Sequence, residues 1–217
     1  MSKKRDRYDV SDLPEAQWEP GSHNQVLKNL QGIKSRRAMD ILEARAQIHT
    51  LEWALGEFDK RHRFTAADVC RIHRYWLNSI YPWAGHYRQV NLSKGDFPFA
   101  MAHGVPQLMG DFEKDPLRRF TPCSLTSQTQ LAEALAIVHA EFILIHPFRD
   151  GNGRIGRMLT ILMAVQAGMP LLDFGIVKGR FKKDYFAAVR AGLKKNYTPM
   201  KRIFEKVIQR SLKPTER

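Results

Sequence analysis

The chain has 217 residues, of which 43% are hydrophobic, and it carries a formal net charge of +13 at pH 7. This length and apolar content suffice for one sizeable core, so we expect a single domain. The charge would attract any polyanion, which leaves nucleic acid, acidic membranes and nucleotide phosphates open as partners. From residue 178 onward, thirteen Lys and Arg residues stand against three acidic ones. A solvated basic face explains that excess equally well.

Two features argue against secretion and membrane insertion. Cys70 and Cys123 have neither the spacing of a metal site nor the density of a disulfide scaffold, so we expect reduced thiols. The charged N-terminus lacks the apolar run of a signal peptide, and no apolar segment approaches the roughly 20 residues of a membrane span. We therefore predict a soluble, cytoplasmic protein without a membrane partner, and delivery into a host cell stays open.

Hydrophobic periodicity predicts a chain that is mainly helical. Helices are predicted at residues 35–58, 65–77, 105–112, 124–145, 152–167, 178–193 and 198–212. Ser35 is the expected cap of the first helix, and Thr65 with Asp68 is expected to cap the second. Tyr75 in the second helix is expected to face the core. The pair Asp115-Pro116 is expected to interrupt the helical structure.

The only strand pattern lies at residues 86–100, where large apolar and polar residues alternate around a turn at residues 94–96. We therefore predict a mainly α, single-domain helical bundle with a small β-hairpin. Its expected parts are an N-terminal arm at residues 1–34, the helical domain at residues 35–212 and a short tail at residues 213–217.

The densest chemistry lies in residues 146–157, which read His-Pro-Phe-Arg-Asp-Gly-Asn-Gly-Arg-Ile-Gly-Arg. Gly151 and Gly153 flank the predicted start of a buried helix, where unpaired backbone N–H groups and the helix dipole favour an anion. Glycine there lets phosphate oxygens approach the backbone closely. Arg154 and Arg157 lie three residues apart on one helix face, so both could hold the same polyphosphate.

Two further residues of this run complete a reaction site. Asp150 could hold Mg²⁺, the usual bridge between a carboxylate and nucleotide phosphates. His146 has an ordinary pKa near 6.5, so it could accept a proton from a hydroxyl at neutral pH. Together these roles describe the transfer of a phosphorus-bearing group. Each residue alone could be an ordinary loop or helix-end residue, and only their combination in one run favours a site.

The run resembles the signature of the Fic family, His-x-Phe-x-(Asp/Glu)-Gly-Asn-Gly-Arg-x-x-Arg, at every fixed position. The matching residues are His146, Phe148, Asp150, Gly151, Asn152, Gly153, Arg154 and Arg157. Residues 81–95 also resemble the segment that leads into the flap hairpin of that family, and residues 26–30 resemble its N-terminal arm. The resemblance covers most of residues 20–212.

This resemblance implies a Fic fold, in which residues 35–212 form the Fic domain, and transfer of AMP from ATP to a Tyr, Ser or Thr hydroxyl of a target protein. His146 would be the general base and Asp150 the Mg²⁺ ligand, and pyrophosphate would leave. The hairpin around Lys94 and Gly95 would be the flap, which pairs with the target as an added strand. The other implied nucleotide-binding residues are Phe148 as an apolar anchor, Arg149, Gly151, Asn152, Gly153, Arg154, Arg157, and Tyr185 and Phe186, which could lie beside adenine or in the helix core.

Several alternatives stay open for the group that is transferred. In the kinase-like branch, similar to the Doc toxins, the second half of the signature is replaced, whereas both glycines and Arg154 are intact here, which favours nucleotidyl transfer. The transferred group could still be UMP, GMP or phosphocholine. A nucleic-acid-binding regulator that uses the basic C-terminal helices is the alternative from another class, although no helix-turn-helix or zinc pattern supports it.

The resemblance also bears on regulation. Many relatives carry an inhibitory helix of the form (Ser/Thr)-x-x-x-Glu-(Gly/Asn), whose glutamate pairs with the second arginine of the signature. No glutamate in this chain is followed by Gly or Asn. We therefore expect a separate small antitoxin to supply a glutamate to Arg157, which would make this chain the toxin of a bacterial pair. By analogy alone, its target would be a type II topoisomerase subunit such as DNA gyrase.

Overall fold

The computed structural model describes residues 12–177 and 181–213, apart from the side chains of residues 177 and 181. The α-helices are α1 (Arg36–Glu57), α2 (Ala66–Leu77), α3 (Val105–Phe112), α4 (Arg118–Phe120), α5 (Gln128–Ile145), α6 (Asn152–Gln166), α7 (Phe181–Gly192) and α8 (Thr198–Ser211). Strands β1 (Ser93–Lys94) and β2 (Phe97–Pro98) pair antiparallel. Short 3₁₀ turns occur at Pro14–Ala16, Ala102–Gly104 and Phe174–Val177. The prediction of a mainly α fold with a small hairpin is confirmed.

Helix α5 lies at the centre of the bundle, where it packs against α3, α6, α7 and α8. Its sequence is rich in Ala, Leu and Ile and leaves almost no polar face, which is typical of a helix buried on all sides. Helix α6 also buries most of its length, including Ile155, Leu159 and Met163. The motif at residues 146–157 therefore connects two helices that the core holds firmly in place.

The predicted caps of α1 and α2 are present. The Ser35 side chain accepts a hydrogen bond from the backbone N–H of Ala38. Thr65 and Asp68 form a reciprocal capping box, in which the Thr65 hydroxyl accepts from the Asp68 N–H at 3.1 Å and the Asp68 carboxylate accepts from the Thr65 N–H at 2.9 Å. Tyr75 does not face the core as expected, because its ring is 46% exposed and stacks on Trp53 of α1 at 4.1 Å.

One predicted boundary of a helix is wrong, and one predicted break takes a different form. The helix predicted at residues 105–112 is present as α3, and Asp115-Pro116 lies in a π-helical turn, Glu113–Leu117, that joins α3 to α4. A π turn accommodates proline, since its wider hydrogen-bonding pattern tolerates a residue without an N–H. Helix α5 begins at Gln128 and not at residue 124. Its cap is Ser127, whose side chain accepts a hydrogen bond from the N–H of Gln130 at 3.5 Å.

The predicted hairpin is present but shorter than its alternating pattern indicates, with two residues in each strand. Residues 86–92 do not form a strand, because their polar groups bond elsewhere: the N–H of Arg88 donates to the carbonyl of Pro147 at 2.9 Å. The flap thereby becomes anchored to the loop between α5 and α6. No helix of the described residues is long and apolar enough to cross a membrane.

The described part of the N-terminal arm packs on the helical domain. Val26 and Leu27 are buried, and the backbone N–H of Leu30 donates to the carbonyl of Ile80 at 2.8 Å. Residues 1–11 and most of the predicted tail, residues 214–217, lie outside the described residues, as do residues 178–180 at the predicted start of α7.

Candidate active site

His146 lies at the C-terminal end of α5 in the left-handed backbone conformation, with φ 53° and ψ 58°. Its ring stacks on Phe99, with 3.6 Å between the ring centroids, and its Nδ1 lies 3.2 Å from the carbonyl oxygen of Ile143. Because a carbonyl can only accept, Nδ1 carries the proton in the neutral ring. Nε2 is then unprotonated and can accept a proton from a substrate hydroxyl, as expected of a general base.

The surroundings of His146 keep its ring neutral. Burial, together with the positive charges of Arg88 and Lys94, lowers the pKa of His146 to about 4. The Ile143 carbonyl and the Asp150 carboxylate act in the opposite direction. The ordinary value near 6.5 assumed from the sequence is thus wrong for this site, because the imidazole is largely removed from water. At pH 7 the ring is in the form that a base requires.

Arg88 is a fully buried arginine that supports the loop carrying His146. Its Nε donates to the carbonyl of His146 at 2.7 Å, and Nη2 donates to the carbonyl of Ile145 at 3.3 Å. The same guanidinium donates to the carbonyls of Val90, at 2.7 Å, and Ala100 at the base of the flap. One side chain therefore satisfies the terminal carbonyls of α5 and fixes the position of the flap relative to the base.

The loop between α5 and α6 is held in place by Phe148, His73 and Asn152. Phe148 is fully buried and stacks on His73 at 3.8 Å. The Asn152 side chain accepts from the Phe148 N–H at 2.9 Å and donates to the Phe148 carbonyl at 2.8 Å. Its amide is thus engaged within the loop. The contact of Asn152 with a phosphate that the resemblance implies would therefore have to come from its backbone N–H.

His73 forms hydrogen bonds with the backbone of two separate segments, one at each nitrogen of its ring. Its Nδ1 accepts from the N–H of Gly85 at 2.8 Å, so the proton is on Nε2, which lies 3.2 Å from the carbonyl of Asp150. Burial lowers the pKa of His73 to about 3, and its neutral form is retained. This histidine connects the segment before the flap to the loop that holds Asp150.

The N-terminus of α6 has the backbone geometry that the predicted anion site requires. Gly151 precedes the helix with φ 82°, and a Cβ at this position would lie 2.6 Å from the ring of Trp76. Only glycine fits there, since both the backbone conformation and the space exclude a side chain. The first N–H groups of the helix, including those of Asn152 and Gly153, have no intrahelical acceptor and present the positive end of the helix dipole.

A cavity of about 800 Å³ opens above this helix end. Every residue predicted for catalysis or nucleotide binding lines it except Phe148, which lies beneath the loop. Those lining residues are Lys94, Gly95, His146, Arg149, Asp150, Gly151, Asn152, Gly153, Arg154, Arg157, Tyr185 and Phe186. Lys182 and Arg190 of α7 add two cations that sequence reasoning missed. Asp150 is the one acidic residue among the described lining residues, so the cavity suits a polyanion.

Asp150 is placed to hold a cation against a bound phosphate. Its Oδ1 accepts from the Gly151 N–H at 2.6 Å and lies 3.4 Å from Nη2 of Arg154. No cluster of three or more metal-ligating side chains occurs among the described residues. A single carboxylate beside a polyanion site fits Mg²⁺, which is commonly held by one or two carboxylates together with substrate phosphates and water.

The two arginines of the motif have different partners. Arg154 forms an ion pair with Glu43 of α1, which is buried, and its guanidinium lies over the Trp76 ring at 4.4 Å. Arg157 pairs with no carboxylate in the described part of the chain. Burial and the charge of Arg154 lower the pKa of Arg157, while Tyr185 acts in the opposite direction. Arg157 is thus a largely buried cation available to an anionic ligand.

Helix α7 and the flap close one side of the cavity. The Lys94 ammonium lies over the Phe186 ring at 4.0 Å, and Arg190 forms an ion pair with Asp96 of the flap. The Tyr185 hydroxyl lies 2.8 Å from Nε2 of the buried His139. Tyr185 and Phe186 therefore pack on the protein and also line the cavity, and their place beside adenine stays a prediction.

The supporting residues Glu43, His73 and Arg88 were not predicted from the sequence. For Glu43 a signal existed, because the buried positions of α1 are Met39, Glu43, Thr50 and Ala54. A carboxylate in such a helical stripe indicates a buried partner. Arg88 belonged to a segment noted only for its resemblance, and nothing in the sequence indicates which carbonyls its side chain would meet.

Comparisons with known proteins agree with this geometry. The Fic/DOC family model matches residues 63–164. The "Probable protein adenylyltransferase Fic" of Escherichia coli (strain K12) is 30% identical over 141 residues, which cover 63% of this chain and 66% of that protein. The "Protein adenylyltransferase Fic" of Nematostella vectensis is 27% identical over 157 residues, 70% of this chain but 34% of that protein. The chain thus spans just under two thirds of the first relative and about one third of the second.

A solved structure extends the similarity to the fold. The BepC protein of Bartonella tribocorum, a VirB-translocated effector determined with bound AMPPNP, is 26% identical and superimposes with a TM-score of 0.67. The alignment covers 83% of this chain and 91% of that chain. The family model spans the segment that contains the base, the anion site and both arginines. The signature, the fold and these relatives together identify residues 63–164 of this chain as a Fic/DOC domain.

Proposed function

We propose that this protein is an adenylyltransferase that transfers AMP from ATP to a Tyr, Ser or Thr hydroxyl of a target protein. The observation that carries the proposal is a neutral His146, with Nε2 free to accept a proton, that lines the same cavity as the N-terminal end of α6. The names of the E. coli and N. vectensis relatives and the AMPPNP bound to BepC support it.

The reaction would proceed by in-line displacement at the α-phosphate. The target hydroxyl oxygen forms a bond to the α-phosphorus, and the bond from that phosphorus to the bridging oxygen of the β-phosphate breaks. The hydroxyl proton passes to Nε2 of His146, and pyrophosphate leaves with the bonding electrons. Apart from the target hydroxyl, which loses the proton, only His146, neutral at pH 7, changes its protonation state in these steps.

The charged groups of the cavity would stabilise the developing charge. The N–H groups at the start of α6 would hold the α-phosphate, and Arg154 and Arg157 would hold the phosphates of the leaving group. Mg²⁺ held by Asp150 would neutralise phosphate oxygens and orient the polyphosphate. Fixed donors of this kind act without reorganisation during the reaction, because the core holds α5 and α6 in place.

The flap would present the target. Strands β1 and β2 pair only with each other in the described part of the chain, so an edge is open to a further strand. A target segment added at that edge would bring its hydroxyl toward His146, since Phe99, directly after β2, stacks on that ring. The identity of the segment is set by the target, and a type II topoisomerase subunit is a candidate by analogy.

Labelled nucleotides test this proposal directly. We expect label from [α-³²P]ATP, and not from [γ-³²P]ATP, to become attached to a target protein or to the enzyme itself. His146→Ala should abolish labelling while ATP binding, measured by calorimetry, persists. Label from the γ-position would instead indicate phosphoryl transfer. Labelling that survives loss of His146 would overturn the assigned role of the base.

A competition panel addresses the alternatives. Unlabelled ATP should suppress labelling at lower concentrations than GTP, UTP or CDP-choline. Preferential suppression by one of the latter three would assign GMP, UMP or phosphocholine, respectively, as the transferred group. Steeply salt-dependent DNA binding that is unaffected by replacement of Arg154 and Arg157 would favour the nucleic-acid-binding alternative.

We further propose that a separate small protein controls the enzyme by supplying a glutamate to Arg157. Arg157 lines both the nucleotide cavity and a second cavity of about 550 Å³ between α1, α6 and residues 172–175. Ile48, Ile161 and Leu172 give that second cavity an apolar lining. A helix with one apolar face and a glutamate could occupy it and pair with Arg157 at its end.

The neighbouring reading frame tests this form of control. We expect a short adjacent gene that encodes (Ser/Thr)-x-x-x-Glu-(Gly/Asn), and we expect its product to suppress labelling when added to the enzyme. Replacement of that glutamate by glycine should restore labelling. Undiminished labelling in the presence of the unmodified product would contradict the proposal.

A further inference from the structure

Within the residues that the structure describes, two carboxylates form ion pairs with Arg154. Asp150 lines the nucleotide cavity, and Glu43 does not. Its side chain is 2% exposed and comes from α1, far in the sequence from residues 146–157. It accepts a hydrogen bond from the Tyr81 hydroxyl at 2.8 Å, and its other carboxylate oxygen pairs with Nη1 of Arg154. Both carboxylate oxygens are therefore engaged.

The position of Arg154 is set on three sides. Glu43 holds Nη1, and the guanidinium carbon of Arg154 lies over the Trp76 ring, 4.4 Å from its centroid. Nη2 lies 3.4 Å from Oδ1 of Asp150, which is long for a charge-assisted hydrogen bond. Trp76 is itself fixed, because its Nε1 donates to the backbone carbonyl of Glu43 at 2.9 Å. Glu43 therefore binds Arg154 directly and also fixes the ring over which Arg154 lies.

The arrangement matters because Arg154 has two carboxylates within reach. A guanidinium binds a carboxylate best through two short parallel hydrogen bonds, and Asp150 lies four residues before Arg154 at the same helix start. Without a competing anion, Arg154 would turn toward Asp150 and neutralise it. A neutralised Asp150 would attract a divalent cation less strongly, since charge is the main attraction of such a site.

We propose that Glu43 is a positioning residue that limits Arg154 to one long contact with Asp150 and so keeps Asp150 available to the cation that accompanies the nucleotide. The Tyr81 hydroxyl supports this role by satisfying the second oxygen of the carboxylate. This inference rests on the proposed function only in assuming that ATP is bound together with Mg²⁺. It concerns binding and requires no group transfer to occur.

Calorimetric titration of ATP, with Mg²⁺ and with EDTA, tests the inference on the full chain. We expect Mg²⁺ to tighten ATP binding to the wild-type protein, and we expect Glu43→Gln to reduce that tightening by about tenfold, the factor that corresponds to one charge-assisted contact. The substituted amide would retain the hydrogen bond from Tyr81 but lose the charge that attracts Arg154. Glu43→Asp should give an intermediate reduction, because the charge is kept on a shorter side chain.

Glu141 provides a matched control. Glu141 is partly buried. Like Glu43, it accepts a hydrogen bond from a tyrosine, Tyr197, and pairs with a cation, Lys195, at 2.9 Å. Unlike the motif residues, it lies outside the cavity. Glu141→Gln should leave the effect of Mg²⁺ on ATP binding unchanged. Thermal unfolding of both variants separates a loss of positioning from a loss of stability.

A double variant distinguishes positioning from a general structural role. If Glu43 acts through Asp150, Glu43→Gln should have no further effect on the Mg²⁺ dependence in an Asp150→Ala background. An unchanged Mg²⁺ effect in the Glu43→Gln single variant would overturn the inference. So would ATP binding that becomes tighter to the same extent with Mg²⁺ and with EDTA, because Glu43 would then restrain Arg154 from the phosphates. Absence of any ATP binding by the wild-type protein would contradict the proposed function itself.

Discussion

Replacement of Arg88 should both destabilise the protein and disturb the base, although this side chain does not line the nucleotide cavity. Arg88 is buried and donates to four backbone carbonyls, those of His146, Ile145, Val90 and Ala100. Arg88→Met keeps much of the volume and removes every donor. The four carbonyls would then lose their partner in a region with little access to water.

The expected loss of unfolding free energy follows from the number of these hydrogen bonds and from their burial. A hydrogen bond to a charged group contributes about 1.5–3 kcal/mol, but the contributions are not additive, and removal of one partner of a buried charged network costs about 3–5 kcal/mol in total. We expect a loss of about 4 kcal/mol for Arg88→Met. For a chain of this size that corresponds to a decrease in Tm of roughly 8–16 °C. Arg88→Lys should lose less, because it keeps the charge but offers a single nitrogen.

Chemical denaturation and thermal unfolding measure this cost, and Arg36→Met is the control. Arg36 pairs with Asp40 on the exposed face of α1 at 2.9 Å, and such an exposed pair contributes about 0.5 kcal/mol or less. The His146 imidazole should also respond, since loss of the Arg88 charge raises the pKa of this ring. A loss of less than about 1 kcal/mol in Arg88→Met would refute the role assigned to this network.

Two further predictions concern the motif itself. In an NMR titration of the unliganded protein, the His146 imidazole should protonate near pH 4, so the neutral form that can act as a base is present above that pH and is lost as the pH falls through it. Lys94→Met should raise this pKa, because the positive charge of Lys94 lowers it. A titration midpoint between about pH 6 and 7 would show that burial does not lower the pKa of His146. Gly151→Ala should cost more than about 2 kcal/mol in unfolding experiments, because a left-handed backbone and a contact at 2.6 Å with Trp76 both oppose the added methyl group. Gly168 has nearly the same φ, 81°, but no atom lies within 4 Å of a Cβ built at this position, so Gly168→Ala should cost only about 1 kcal/mol of unfolding free energy. Equal losses for the two variants would show that the contact with Trp76 is unimportant.

Local signals predicted most of the secondary structure because those signals act over a few residues. The capping box of Thr65 and Asp68 and the all-apolar pattern of α6 required no knowledge of the rest of the chain. The errors arose where a distant contact decided the outcome. Tyr75 found a stacking partner on another helix, and Arg88 bonded to a loop nearly sixty residues away instead of continuing a strand.

The candidate chemistry of residues 146–157 could be predicted from the sequence alone, because His146, Asp150, the glycines and the arginines are adjacent in the chain and the start of a helix binds anions by its nature. The adjustment of these groups follows from contacts that are distant in the sequence. Burial lowers the pKa of His146, Glu43 fixes one arginine, and Arg157 is left without a carboxylate partner in the described part of the chain. These properties depend on side chains from α1, the flap and α7, which only the packing of the helices brings to the motif.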